Sequence, residues 1–228
     1  MKLLTESDQL SAGEKVRRLY RSKEELAIRD ALERVCRLRW PEARLVHELV
    51  MGRGSVRADL AAVAPNHLAA FEIKGPHDDT TRLINQVAMY RLAVPEVWMV
   101  VAAQHRSDGD MVRYLLPSVG LAVVHGLDRY GESMMKDGVL LEVVAEAAPV
   151  EPHPEALLSL LWVSELVSEA GRARIWQGNT NKPPSHAKLV EMMKKLGPAE
   201  KIAAVCRQLR SRQAQWRADP AVPLAPWT

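Results

Sequence analysis

The chain has 228 residues, 47% of them hydrophobic and 26% charged, with a formal net charge of +3. That balance belongs to a globular protein and excludes an intrinsically disordered one, and the length holds one sizeable core with an appended piece. No apolar run approaches the roughly 20 residues that cross a bilayer, so no membrane partner is expected.

Residues 1–21 are polar and read as a loose segment or a short helix. They alternate charge with single apolar residues and carry no apolar leader. No secretory signal is read, and the cytoplasm is the expected location. Ser22 opens a helix, with Glu25 at capping-box spacing. Ile28, Leu32 and Val35 form its core-facing stripe, and Pro41 ends it. Three β-like runs follow, over residues 44–50, 56–63 and 68–74. Gly52 and Gly54 punctuate the first gap and Pro65-Asn66 the second. Two tight connections in succession predict an antiparallel meander. A helix over about 80–92 has Leu83, Val87 and Tyr90 on one side, and Pro95 breaks it. Residues 97–102 are continuously apolar, as in a strand buried on both faces. Residues 120–124 read as a further strand. The order helix, three strands, helix, strand predicts an α/β sandwich with a mixed sheet flanked by helices.

The texture changes near Pro149. Pro149, Pro152 and Pro154 form a stiff link. A very apolar helix is predicted over 155–170, then a polar loop with Gly178, Pro183 and Pro184. Ser185 caps a helix to Leu196. Gly197 stops it, and Pro198 starts another running to about Arg217. The organisation expected is a polar segment over 1–21, an α/β domain over 22–148 and an all-helical region over 149–228. The apolar helix suits an interface, with another copy or another protein, or burial within the chain. The basic residues of the last two helices, Lys188, Lys194, Lys195, Lys201, Arg207, Arg210 and Arg212, suit phosphate contact or an ordinary amphipathic pair.

Charge is unevenly spread. Residues 45–154 hold 14 acidic and 9 basic side chains, while residues 155–228 hold 6 and 11. An acidic middle beside a basic end suits a metal site with an arm for a polyanion, or plain solvated helix faces. Cys36 and Cys206 lie among apolar residues with no metal-ligand neighbour and read as buried free thiols.

The chemistry concentrates in Arg57-Ala-Asp59 and Glu72-Ile-Lys74. On a strand Glu72 and Lys74 point the same way, with Ile73 turned into the core. The turn between the second and third strands can bring Asp59 beside Glu72. Two adjacent carboxylates call for a cation, and a hard divalent ion such as Mg²⁺ takes oxygen ligands and keeps waters. A lysine beside such a pair can orient a water and stabilise developing negative charge. The bland alternative is a Glu–Lys salt bridge on an exposed strand face. The sequence carries no phosphate loop, dinucleotide fingerprint, nucleophilic-serine elbow or zinc cluster.

The text "RADLAAV…HLAAFEIKGPHDDTTRLINQVAMY" resembles the PD-(D/E)XK phosphodiesterase superfamily, the restriction-endonuclease-like nucleases. The signature Asp corresponds to Asp59, preceded by Ala58 where the pattern has proline. Glu-x-Lys corresponds to Glu72, Ile73 and Lys74. Gln86 and Tyr90 match the Gln-x-x-x-Tyr helix of RecB-like members, one face of one helix. The resemblance covers residues 25–125. It extends to a small bacterial group sharing "EIK…D-T-x-R-L…Q…Y" and a later "LLW…EL". It implies a restriction-endonuclease-like core with a C-terminal helical extension. It also implies a Mg²⁺-dependent nuclease, with Mn²⁺ as substitute, acting on DNA rather than RNA in repair, restriction or phage defence. Asp59, Glu72, the Ile73 carbonyl and Glu48 would hold the metal, and Lys74 would assist the water. Arg82, Gln86 and Tyr90 would meet substrate. Glu25 competes with Glu48 to complete the site, or serves only as a helix-cap partner. His77 and His105 read as loop histidines. The alternative function is a catalytically silent nuclease fold that binds nucleic acid or a protein.

Overall fold

The computed structural model describes residues 23–51, 54–127, 139–213 and 218–224. The expected N-terminal segment, Ser22 and Gly52 lie outside them, as do residues 214–217 of the last predicted helix.

Helix α1 (Lys23–Arg39) leads into β1 (Arg44–Met51), β2 (Val56–Val63) and β3 (Leu68–Lys74). Helix α2 (Leu83–Ala93), β4 (Glu96–Ala102), α3 (Arg106–Leu115), β5 (Gly120–His125) and β6 (Leu140–Ala145) follow. Four helices close the chain: α4 (Pro154–Leu158), α5 (Val163–Arg172), α6 (His186–Met193) and α7 (Pro198–Ser211). The strands form one mixed sheet in sequence order. β1, β2 and β3 pair antiparallel, β3–β4 and β4–β5 pair parallel, and β5–β6 is antiparallel. The meander and the buried central strand therefore form as the sequence pattern predicts. On β4, Val97, Met99 and Val101 enter one core while Trp98 and Val100 enter the other.

Helix α1 covers one face of the sheet. Its buried stripe is Ile28, Ala31, Leu32 and Cys36, packed on Leu45, Leu60, Phe71 and Trp98. Val35, expected in that stripe, is 37% exposed, because the helix presents the i, i+4, i+8 row and Cys36 takes the inner place. The other face carries α2, α3 and the C-terminal helices. Leu83, Val87 and Tyr90 share a core with Leu157, Leu161, Leu166, Leu189 and Val205. The helical region after Pro149 is therefore packed into the same core as the sheet, and Leu157, Leu158, Leu160, Leu161 and Leu166 are covered by this chain, while Trp162 stays exposed.

Four departures from the sequence pattern have identifiable causes. Helix α2 begins three residues later than expected. Asp79 accepts hydrogen bonds from the Thr81 N–H at 2.8 Å and its hydroxyl at 2.7 Å, which holds a turn there, and Arg82 becomes the N-cap residue. The apolar helix expected over 155–170 is two helices. In one continuous helix Leu166 would lie roughly 180° round from Leu157. The break at residues 159–162 lets both enter the core, and Glu165 Oε2 accepts the Trp162 N–H at 2.7 Å to restart the helix. Helix α3 has no clear sequence signature, because Gly109 interrupts it and only Gly109 and Val112 are buried. A Cβ at Gly109 would stand 2.7 Å from Leu121 Cδ1, so glycine lets this helix approach the sheet. Edge strand β6 is equally silent in the sequence, and Leu140 and Val143 are about half exposed.

The basic residues of the last helices mostly serve the chain itself. Lys201 is buried and donates to the Leu196 carbonyl at 2.6 Å. Arg207 pairs with Glu169 at 2.7 Å and Arg212 with Glu165 at 2.5 Å. Arg44 on β1 is buried and donates to the carbonyls of Leu209, Arg210, Arg212 and Asp219. It thereby ties the end of α7 to the sheet. Cys36 and Cys206 are free and buried. Among the described residues no helix is long and apolar enough to cross a membrane.

Candidate active site

The site forms where two paired strands separate. β2 and β3 are hydrogen-bonded from Val63–Leu68 up to Leu60–Phe71. Beyond that point β3 continues beside β4, with Glu72 opposite Met99 and Lys74 opposite Val101. Asp59 fills the fork. Its Oδ2 accepts the Ile73 main-chain N–H at 2.7 Å, taking the role a strand carbonyl would otherwise have.

A matched irregularity aims these residues. Glu48 has φ +58°, a left-handed conformation that costs a side-chain-bearing residue about 1–3 kcal/mol. On β1, Val46 and then Leu49 enter the α2-side core, so the in–out alternation slips by one at Glu48. On β2, Ala58 and then Ala61 do the same across Asp59. Both strands slip together, so the pairing resumes in step, with His47 opposite Leu60 and Leu49 opposite Ala58.

Glu72 is 2% exposed, and each of its oxygens accepts one hydrogen bond. Lys74 Nζ reaches Oε1 at 2.9 Å, and the Tyr90 hydroxyl reaches Oε2 at 2.5 Å. Lys74 also donates to Gln86 Oε1 at 3.2 Å. Helix α2 supplies Gln86 and Tyr90 from one face, four residues apart. The Tyr90 hydroxyl also meets the Arg57 carbonyl at 2.7 Å. Burial, then the Glu72 charge and its hydrogen bond, push the Tyr90 phenol well above its ordinary range, so it stays a neutral donor.

Burial and the neighbouring Glu72 raise the Asp59 carboxyl from 3.8 to about 7, against the opposing pull of Arg29 and the Ile73 N–H. Part of the Asp59 side chain, 23%, stays open. It lines a cavity of about 660 Å³ together with Glu72, Ile73, Lys74, Arg82 and Gln86. A larger groove of about 1250 Å³ runs along α5 and the loop after it. No carboxylate, histidine or lysine is among its lining residues, whereas the cavity of about 660 Å³ gathers Asp59, Glu72 and Lys74.

Two expected roles shift. Tyr90, expected at substrate, is fully buried and is not among the residues lining the cavity; it reaches Glu72 instead. Glu48, expected as a metal ligand, sends its carboxylate to Arg29 at 3.4 Å and to Arg57 in a close ion pair. Glu25 lines the cavity and pairs with Arg29 at 2.8 Å. Arg82 is exposed at the cavity wall, at the N-terminus of α2. His77 lies 3.6 Å from Glu24, and His105 lies 3.4 Å from Asp108.

Sequence reasoning missed Arg29. It is 2% exposed and gathers Glu25, Glu48 and Asp59 around one guanidinium. The i, i+4 pairing of Glu25 with Arg29 was the available signal, but such pairs are ordinary on solvent-facing helix surfaces. Among the described residues no three His, Cys, Asp or Glu side chains form a cluster that could hold a metal. Two carboxylates and the Ile73 carbonyl suit a hard divalent ion by their donor chemistry. The raised Asp59 carboxyl reflects burial first and the adjacent Glu72 charge second, both of which disfavour two bare carboxylates here.

The profile of the family described as Bacteriophage P4 protein cII matches residues 22–218. The chain belongs to this family. The matched span contains every residue of the site from Glu25 to Tyr90, and also the C-terminal helices up to the Ala218–Val46 bridge that fastens the chain end to β1. No curated protein and no solved structure matches the chain.

Proposed function

We propose that this member of the Bacteriophage P4 protein cII family is a Mg²⁺-dependent phosphodiesterase with a restriction-endonuclease-like core, acting on nucleic acid in the cytoplasm. The observation that carries the reading is the fork itself: the Asp59 and Glu72 carboxylates line one cavity, with Lys74 bonded to Glu72. The order α1, antiparallel β1–β3, α2, parallel β4 fits the fold that the sequence motifs resemble. DNA is the proposed substrate over RNA, a choice that rests on that resemblance.

Asp59, Glu72 and the Ile73 carbonyl are the residues that would hold Mg²⁺ or Mn²⁺. The ion, when bound, supplies a low-pKa water and neutralises charge on the phosphate. The chain's own part follows from its hydrogen bonds. Tyr90 holds one Glu72 oxygen fixed and Lys74 the other. Gln86 accepts a second hydrogen bond from the Lys74 ammonium, which leaves a third donor for a water or a phosphate oxygen. There it orients the attacking water and stabilises the charge that builds on the phosphate. Arg82, at the exposed wall, meets a flanking phosphate bidentately.

The test is cleavage of plasmid and of single- and double-stranded oligonucleotides with Mg²⁺ or Mn²⁺. Wild type and Lys74→Ala are compared, and a chelator serves as control. Metal-dependent cutting that Lys74→Ala abolishes supports the reading. Nucleic-acid binding without cutting under either metal rejects it in favour of a silent binding module.

A further inference from the structure

We propose that Arg29 is a built-in cation that takes the place of a second divalent ion, so that the site holds a single one. The inference rests on the metal-dependent reading above and concerns how many ions that site admits.

Three acidic side chains from three elements meet at Arg29. Its Nε and Nη2 donate to Glu25 Oε1 at 3.0 and 2.8 Å. Nη2 also reaches Glu48 Oε1 at 3.4 Å and Asp59 Oδ1 at 3.3 Å. Nη1 donates to the Asp59 main-chain carbonyl at 2.6 Å. Carboxylate and main-chain carbonyl oxygens are the atoms a hard cation attracts, although with Arg29 in place these three side chains form no metal-holding group. Here a guanidinium stands at their centre.

Asp59 divides its two oxygens between these environments. Oδ1 faces Arg29, while Oδ2 faces the Ile73 N–H beside the Glu72 arm. Two-ion sites hold their metals roughly 3.5–4 Å apart. Asp59 is the residue common to both environments, and on one side it already faces a positive charge. Arginine does not lose its proton at any physiological pH, so that charge is permanent. Burial strengthens the exclusion, because a second divalent ion beside a buried cation would be repelled with little solvent screening. Glu48 then has a role that needs no metal contact: tied to Arg57, it accepts from the same Arg29 Nη2 as Asp59 does.

The experiment counts Mn²⁺ bound to the full chain, by calorimetry and by the electron paramagnetic resonance of free Mn²⁺, with no substrate present. Wild type is expected to bind one ion. Arg29→Met opens the second set of oxygens and raises the count to two. Arg29→Lys returns the charge and restores one. Glu48→Gln keeps the count at one. Wild type binding two ions overturns the proposal whether or not any variant folds. So does a folded Arg29→Met chain that still binds one, or a Glu48→Gln chain that loses its ion. Wild type binding no Mn²⁺ at all rejects the metal-dependent reading itself, an outcome distinct from a count of two.

Discussion

The Tyr90 hydroxyl stands 2.5 Å from Glu72 Oε2 and 2.7 Å from the Arg57 carbonyl. One proton therefore serves two acceptors, and the contact to the carboxylate is the shorter. Short hydrogen bonds to ionised groups are roughly twice as strong as neutral ones. Tyr90→Phe keeps the ring and removes that proton. It leaves a buried Glu72 oxygen without its donor, which costs about 1–3 kcal/mol in urea denaturation. Cleavage falls by about 10–100-fold, the usual effect of losing a group that orients a metal ligand. Unchanged activity in a folded Tyr90→Phe chain would show that Glu72 needs no such support.

Lys74 is 12% exposed and makes two hydrogen bonds within the cavity. Lys74→Ala is expected to lower kcat by about 10²–10³-fold, the scale of losing one donor aimed at transition-state charge. Removing the ammonium also leaves a buried Glu72 oxygen without its donor, so stability in urea falls as well, by about the same 1–3 kcal/mol as in Tyr90→Phe. A folded Lys74→Ala chain that keeps its cleavage rate would mark Lys74 as structural.

In the metal-free chain two buried groups give opposite pH dependences. Burial and Glu72 raise Asp59 from 3.8 to about 7. The folded chain holds a proton that the unfolded chain has released, so this contribution is present below about pH 4 and is lost as pH rises to about 7. Burial and Arg29 lower His47 from 6.5 to about 4. That contribution is present above about pH 6.5 and is lost as pH falls through about 4. Between these limits the two slopes oppose each other. Asp59→Asn removes the falling slope, so the variant gains stability with rising pH across this window. Urea midpoints across it provide the check, and an Asp59→Asn chain that loses stability instead contradicts the assignment.

Arg44 joins the sheet edge to the chain end. Its guanidinium donates to four carbonyls at 2.6 to 2.9 Å. Arg44→Met keeps the stem and removes every donor, so the Leu209, Arg212 and Asp219 carbonyls lose the guanidinium while Arg210 keeps the Val222 N–H. A loss of about 3 kcal/mol in urea denaturation is expected, the scale of stranding buried polar groups. Amide exchange should then accelerate in α7 before it does in β3 and β4.

Glu72 and Lys74 were legible as neighbours on one side because strand alternation is local, whereas Asp59 was read from its spacing across the turn and Gln86 from the motif resemblance. Arg29 was not legible, since its neighbours Glu48 and Asp59 lie 19 and 30 residues away. The break between α4 and α5 escaped for a related reason. Only the shared core decides that Leu166 must turn to the same side as Leu157.

The sequence alone determined the three-strand meander, the buried strand after α2 and the spacing of the acid, acid and amine, because period-2 and period-3.6 patterns record which side of each element meets apolar neighbours. Tertiary structure decided the paired slip at Glu48 and Asp59, the withdrawal of Tyr90 behind Glu72 and the burial of a guanidinium among three carboxylates. A charge is tolerated in a core only where partners from distant elements converge on it, and no local pattern encodes that convergence.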